Sequence, residues 1–394
     1  MKLTKATRLS CAAFRLFTGL AVCIAAFTSL LPTASHAQPS MLDPTVTQVV
    51  AGLSHSCALT TAGGVKCWGS NAIGQLGDGT LINRTSPVDV PTLTSGVVAI
   101  TAGDAHTCAL LLTSGLKCWG NNVRGQLGDS SFVSSATPVD VYGYTAGVAA
   151  VSAGATHNCA VTVSAGVVCW GGNSNGQLGH SGTADSLRAY ESVYLNVGVI
   201  GIAAGGTHSC ALTIAGGVKC WGGNGFGQLG DGTFVDYDNN IGEAVNVVNL
   251  ASGIKALTAG SGHTCGVTTA GGVKCWGGNA SFQLGDGTQI NRNIPISTAS
   301  LGTSLSTVIG NITAGAQHTC ATTVAGALKC WGGNATFQLG DGTSINKSTP
   351  INVTGQTADM ANVAAGGSHT CALTKYGGVR CDSGFASPDR RRVQ

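Results

Sequence analysis

Residues 51–80 read AGLSHSCALTTAGGVKCWGSNAIGQLGDGT, and residues 102–131 read AGDAHTCALLLTSGLKCWGNNVRGQLGDSS. The same pattern recurs along most of the chain. Its paired cysteines begin at 57, 108, 159, 210, 265, 320 and 371, in steps of 51, 51, 51, 55, 55 and 51 residues. Repetition at this period means a solenoid or a propeller. Each unit offers an apolar run such as GVVAITAG, a hairpin such as HTCALLLTSGLKCWG, a Gly-rich loop closing on QLGDG, and a Pro-led piece such as PVDV. That makes about four short strands per unit, the content of a propeller blade.

Composition agrees with strands and tight turns. Of 394 residues 60 are Gly, 9% are charged and 5% are aromatic. Helix formers such as Glu, Lys and Gln are scarce, while Val, Thr and Ala are plentiful. The sequence therefore predicts an all-β chain, a seven-bladed β-propeller of about 51-residue repeats.

The first 37 residues differ. Lys2, Lys5, Arg8 and Arg15 accompany an apolar run of 16 residues, LFTGLAVCIAAFTSLL, followed by PTASHA. Ser35 and Ala37 are small where a signal peptidase needs them, and the run is short for a spanning helix. The expectation is a secretory signal over residues 1–37, a propeller over 38–381 and a tail over 382–394, in a secreted or periplasmic protein. A lipoprotein signal at Cys23 fits less well, because Val22 stands where a small residue is wanted. The four leader charges leave with the signal, so 20 basic residues become 16 against 17 acidic ones. A net charge of this size gives no strong field toward nucleic acid or an anionic membrane. Neither is expected as a partner.

Cys11 and Cys23 belong to the leader. The rest form seven C-x9-C pairs: Cys57 with Cys67, Cys108 with Cys118, Cys159 with Cys169, Cys210 with Cys220, Cys265 with Cys275, Cys320 with Cys330, and Cys371 with Cys381. A three-residue turn over Thr61, Ala62 and Gly63, with Gly63 free to take a left-handed conformation, places Cys57 opposite Cys67. Opposed residues have Cβ atoms about 4.5–5.5 Å apart, within modest adjustment of a disulfide. Export provides an oxidising compartment. The rival reading, metal at H-x-C-x9-C, supplies only three ligands per unit where zinc takes four. Disulfides are the expectation.

HSCALTTAGGVKCWGSNAIGQLGDGT resembles the repeat of the regulator of chromosome condensation family, through G-x-x-H-[ST], A-L-T, G-x-V, W-G-x-N and G-Q-L-G. The resemblance runs from about residue 46 to 381 and implies that family's seven-bladed propeller. In a WD repeat Trp is followed by Asp; here it is followed by Gly. Two departures stand out. The Cys pairs have no counterpart in intracellular members. The seventh unit breaks off at YGGVRC and runs into DSGFASPDRRRVQ, without W-G-x-N or G-Q-L-G, so an incomplete seventh blade is expected.

Residues repeated in every unit read first as architecture. Trp68, Trp119, Trp170, Trp221, Trp276 and Trp331 can cover the disulfides and fill space between blades. His55, His106, His157, His208, His263, His318 and His369 precede a Cys by two, so each shares a strand face with its bridge. A structural hydrogen bond is the plain reading, and a metal- or pH-sensing ring at the channel the sharper one. Asp78, Asp129, Asp231, Asp286 and Asp341, with His180 in place of Asp in the third unit, mark turns. One carboxylate per loop is thin for calcium. There is no P-loop and no lone Cys nucleophile, so no catalysis and no cofactor are expected.

Function is then sought where the copies differ. Tyr142, Tyr144, Tyr190, Tyr194 and Tyr237 lie in the connections between the second and fifth units, near Phe132, Phe226 and Phe234. Exposed Tyr-rich surfaces favour protein contacts. The resemblance implies a binding module, since secreted members of this fold include a β-lactamase inhibitor that grips its target with loops on one face. It also offers a nucleotide exchange factor, as in the family's eukaryotic head, but export and the lack of a basic tail argue against that. A carbohydrate or metal site in the channel is the third class. The expected protein is a monomer that binds a protein partner.

Overall fold

The computed structural model describes residues 45–191, 195, 198–236, 243–302, 304, 307–383 and 392–393. Its strands form seven four-stranded antiparallel sheets, each built from strands consecutive in the chain. No helix forms among the described residues. In blade 1 the strands run outward from the axis as Val46–Ala51, His55–Thr60, Val65–Gly69 and Arg84–Asp89. In this up-and-down order the first turn and the third-to-outer loop emerge at one end of the blade. The hairpin and the connection to the next blade emerge at the other.

The hairpins have the register the cysteine spacing predicts. Cys57 faces Cys67 in blade 1, Cys108 faces Cys118 in blade 2, and Cys159 faces Cys169 in blade 3. Cys210 faces Cys220, Cys265 faces Cys275, Cys320 faces Cys330 and Cys371 faces Cys381 in the remaining four. All seven pairs are disulfide-bonded, with Cα atoms 4.0–4.1 Å apart. The cysteines are thus structural throughout, and the metal reading of H-x-C-x9-C fails because both sulfurs of every pair are consumed in a bridge. Gly63 closes the turn at φ 77°, its N–H donating to the Thr60 carbonyl at 2.9 Å. Blades 2 and 3 place Ser114 (φ 62°) and Ala165 (φ 63°) at the same point. A Cβ in the left-handed region is strained, whereas Gly costs only unfolded-chain entropy. Ala165→Gly should therefore stabilise the protein by about 0.5–1 kcal/mol. Urea titration checks this, and an unchanged or lower midpoint would show that the turn is unstrained.

The core lies between blades rather than within them. Around the first disulfide, Leu59, Val65 and Leu76 pack with Val97, Ile100, Ala109 and Trp119 of blade 2. Each Trp from blade 2 to blade 6 is buried against the preceding blade, and its indole N–H donates to a Gln carbonyl there, as Trp119 does to Gln75 at 3.0 Å. The Leu following each such Gln is fully buried. A buried Asn pins the loop: Asn71 accepts from the Leu76 N–H and donates to Asp78. The repeated W-G-x-N and Q-L-G-D thus form the wedge between adjacent blades.

Blade 7 is incomplete in the expected way. Among the described residues its outer strand is Arg392–Val393, paired with Arg380 and Val379. Asp382 stands where the other blades have Trp, opposite Thr370. The third strand continues to Ser383, within the stretch read as tail. Trp68, whose partner loop would come from blade 7, is half-buried, and its indole makes no hydrogen bond to another described residue. Blade 1 is built wholly from residues 46–89, so no strand is shared between the chain's two ends. Side-chain and turn contacts close the ring instead: Ser56 with His369 at 2.8 Å, and the Gly367 N–H on the Gly52 carbonyl at 3.1 Å.

Candidate functional site

At the axis the innermost turns touch around the whole circle. Leu53 N–H donates to Asp104 O, Asp104 N–H to Ala155 O, and Ala155 N–H to Gly205 O, all within 3.2 Å. The series continues through Gly206, Ser261 and Ala316 to Gly367. Gly is required for this approach. A Cβ on Gly103 would lie 2.2 Å from the His106 ring and 2.4 Å from the Gly154 carbonyl. The channel mouth is lined by these Ala-Gly turns and encloses about 70 Å³. Small-molecule sites usually need some ~300 Å³ or more, which weakens the carbohydrate reading. Asp104 is the one ionisable group in that lining, and burial raises its pKa.

The seven His side chains form a second ring. Each Nε2 meets the residue after the equivalent His of the next blade: His55 with Thr107 at 2.9 Å, His106 with Asn158 at 3.0 Å, and so on to His369 with Ser56. Six of those receiving side chains also donate to a Gln carbonyl, as Thr107 does to Gln75. A hydroxyl that donates there accepts from the imidazole, so Nε2 carries the proton. The Nδ1 atoms of His55, His106, His157, His208, His263 and His318 are buried without a partner. Burial, in several cases with neighbouring His rings, pushes the seven pKa values down to about 3 or 4. These are neutral structural histidines that join blades.

The loop carboxylates are likewise engaged. Asp78 accepts from the Thr80 N–H and hydroxyl and from Asn71, and pairs with Arg84 at 2.7 Å. Asp286 and Asp341 repeat this with Arg292 and Lys347. In all three, burial raises the pKa but the hydrogen bonds outweigh it and leave the value lowered. Among the described residues no group of three His, Cys, Asp or Glu is placed to hold a metal.

The aromatic candidates separate. Tyr142 is 56% exposed and lies beneath the Arg188 guanidinium, 4.2 Å from its ring centre. Arg188 comes from the outer strand of blade 3, Ser186–Glu191, and donates to Ser130 of blade 2 at 2.9 Å. Tyr190, on the same strand and also 56% exposed, meets the His180 ring edge-on at 5.9 Å. Phe132, 52% exposed, belongs to the loop that carries Ser130. So Phe132, Tyr142 and Tyr190 share the rim of blades 2 and 3, while exposed Phe226 and Phe234 stand on the loop of blade 4.

Tyr144 differs from these. It packs into the core cluster of blade 2, and its carbonyl accepts from Leu116 N–H. Leu93, Leu195 and Leu250 hold the equivalent places in their blades, so Tyr144 is a half-buried residue that packs against the core where those blades have Leu. Tyr194 and Tyr237 lie outside the described residues. Arg188 was missed because nothing in the sequence links it to Tyr142, 46 positions earlier.

A family model described as the RCC1-like domain matches residues 25–308, and one for the regulator of chromosome condensation (RCC1) repeat matches 326–373. The chain belongs to the RCC1-like domain family. It is 32% identical over 341 residues to the ultraviolet-B receptor UVR8 of Arabidopsis thaliana, covering 84% of this chain and 75% of that protein. It is 30% identical over 339 residues to the human E3 ubiquitin-protein ligase HERC2, spanning 84% of this chain but 7% of HERC2. Among solved structures, human WBSCR16 superposes with a TM-score of 0.74 at 23% identity, over 85% of this chain and 88% of that one. Prp20p from Saccharomyces cerevisiae, studied with its binding to Gsp1p and histones, gives 0.71 at 21% identity, over 82% and 80%. These two structures establish the fold alone.

Proposed function

We propose that this RCC1-like propeller is a secreted or periplasmic, monomeric binding module without catalytic activity. Its protein partner docks on the rim of blades 2 and 3. The supporting observation is the exposed Tyr142–Arg188 stack, continued by Tyr190 and Phe132. A guanidinium held over an aromatic face presents flat, rigid area, and Arg and Tyr are enriched among the residues that dominate interface energies. The leader and the seven disulfides support export. RCC1-like propellers are a protein-interaction family, and a solved relative is described with protein partners.

The exported protein, used as bait on the envelope and secreted proteins of its source, should retain a partner. A triple variant, Tyr142→Ala with Arg188→Ala and Tyr190→Ala, should lose it by about 100-fold or more, as expected for a cluster of anchor residues. Equal capture by both proteins would move the site off this rim. Capture by neither would overturn the binding reading.

A further inference from the structure

The hairpin end of the propeller exposes aliphatic side chains where turns are usually polar. Leu112, Val163, Ile214 and Val324 occupy the same hairpin position in blades 2, 3, 4 and 6 and are 59–78% exposed. Beside two of them, Val98 and Ile200 on the inner strands are 48% and 55% exposed. The hairpins share one register, so their tips stand at one height around the axis. None of the seven tips contains Asp or Glu, and the seventh presents Lys375 and Tyr376.

A basic collar surrounds these tips. The second residue of the third strand is Lys66, Lys117, Lys219, Lys274, Lys329 or Arg380 in six of the seven blades. Lys66 and Lys117 pair with Asp89 and Asp140. Lys219, Lys274 and Lys329 have no carboxylate partner among the described residues; Lys329 donates to Asn352. The opposite end carries the loop carboxylates Asp78, Asp129, Asp231, Asp286 and Asp341. Asp78, Asp286 and Asp341 are paired there with Arg84, Arg292 and Lys347, and at the hairpin end Lys375 pairs with Asp359. The hairpin end thus keeps Lys219, Lys274 and Lys329 as cations without a carboxylate partner among the described residues, which the near-zero net charge of the whole chain conceals.

We propose that the hairpin end docks on an anionic lipid surface. Apolar tips at one level suit a planar contact rather than a pocket. Lysines behind them can lay their stems along apolar surface and hold their ammonium groups at headgroup depth. The charge sign is that required by an anionic leaflet. The residues of this surface differ from those proposed for the rim of blades 2 and 3, whose Tyr142 lies on a connection that emerges at the same end.

The test is co-sedimentation of the exported protein with vesicles of phosphatidylcholine, with and without phosphatidylglycerol. The protein should pellet with the anionic vesicles and should be released by salt. Combining Leu112→Ser, Val163→Ser and Ile214→Ser alters only exposed tips and should weaken binding by about tenfold or more. Combining Lys219→Gln, Lys274→Gln and Lys329→Gln should weaken it comparably. Unchanged thermal unfolding of both variants ties any loss to the surface. Wild-type protein left in the supernatant with both vesicle types would overturn the proposal. So would full binding by either variant, or a protein partner captured through the three aliphatic tips in the absence of lipid.

Discussion

Acidification from pH 7.5 to 5.5 should remove about 10 kcal/mol of stability, enough to unfold most domains. The cause is the His ring. In the unfolded chain each His titrates near its ordinary value of 6.5, whereas burial holds the native values down to about 3 or 4. Between those limits the unfolded chain binds protons that the native ring does not. Stability is therefore complete above pH 6.5 and falls as pH drops, by ~1.4 kcal/mol per pH unit for each His. Seven histidines acting together give the total. Asp78, Asp286 and Asp341 act in a different window. Their lowered values add stability that is present above 3.8 and lost only below it. Denaturant titrations at pH 7.5, 6.5 and 5.5 measure the slope. His157→Gln, which keeps an N–H donor, should make it shallower by one-seventh of the total. Equal stability at pH 7.5 and 5.5 would mean that the histidines are solvated or already protonated in the native state.

What the sequence made legible was local. The disulfide, the hairpin register and the Gly63 turn lie within eleven consecutive residues, so strand geometry alone fixes them. Blade number followed from counting copies. The contacts that turn blades into a ring span one repeat or more. His55 reaches Thr107, 52 positions away, and Trp119 reaches Gln75, 44 positions away. The sequence placed each His near its own bridge and each Trp over its own disulfide or between blades. It did not say which blade would receive them, because a periodic pattern is the same whichever way its links point.

The proposed rim was legible only in part. Clustering along the chain took in Tyr142 and Tyr190, which are exposed, together with Tyr144, which is half-buried. Aligning the units would have separated them, since Tyr144 falls in the column of Leu93, Leu195 and Leu250. The same column-by-column comparison shows that Leu112, Val163, Ile214 and Val324 occupy a turn position where burial cannot be the reason for an aliphatic side chain.

Reduction of the seven disulfides should abolish folding. Each bridge links residues 10 apart, and the loops do not overlap. Each constrains a different stretch of the unfolded chain, by about 2–3 kcal/mol in the chain-entropy estimate. Seven such terms add to roughly 15–20 kcal/mol, above the usual net stability of a domain. Protein unfolded and reduced in denaturant should fail to regain its far-ultraviolet circular dichroism on dilution into dithiothreitol, and should regain it under a glutathione redox couple. The native protein should resist the same reductant longer, because the cysteines of six bridges are fully buried. Only Cys381 is partly exposed, beside half-buried Trp68, so thiol mapping by mass spectrometry should find the bond between Cys371 and Cys381 opened first. The bridges from Cys57 to Cys67 and from Cys108 to Cys118, both shut in the core, should open only with the fold. Refolding in dithiothreitol to within a few degrees of the oxidised melting temperature would show that hydrophobic contacts between blades suffice. The bridges would then be dispensable, and the strongest physical argument for an oxidising compartment would go with them.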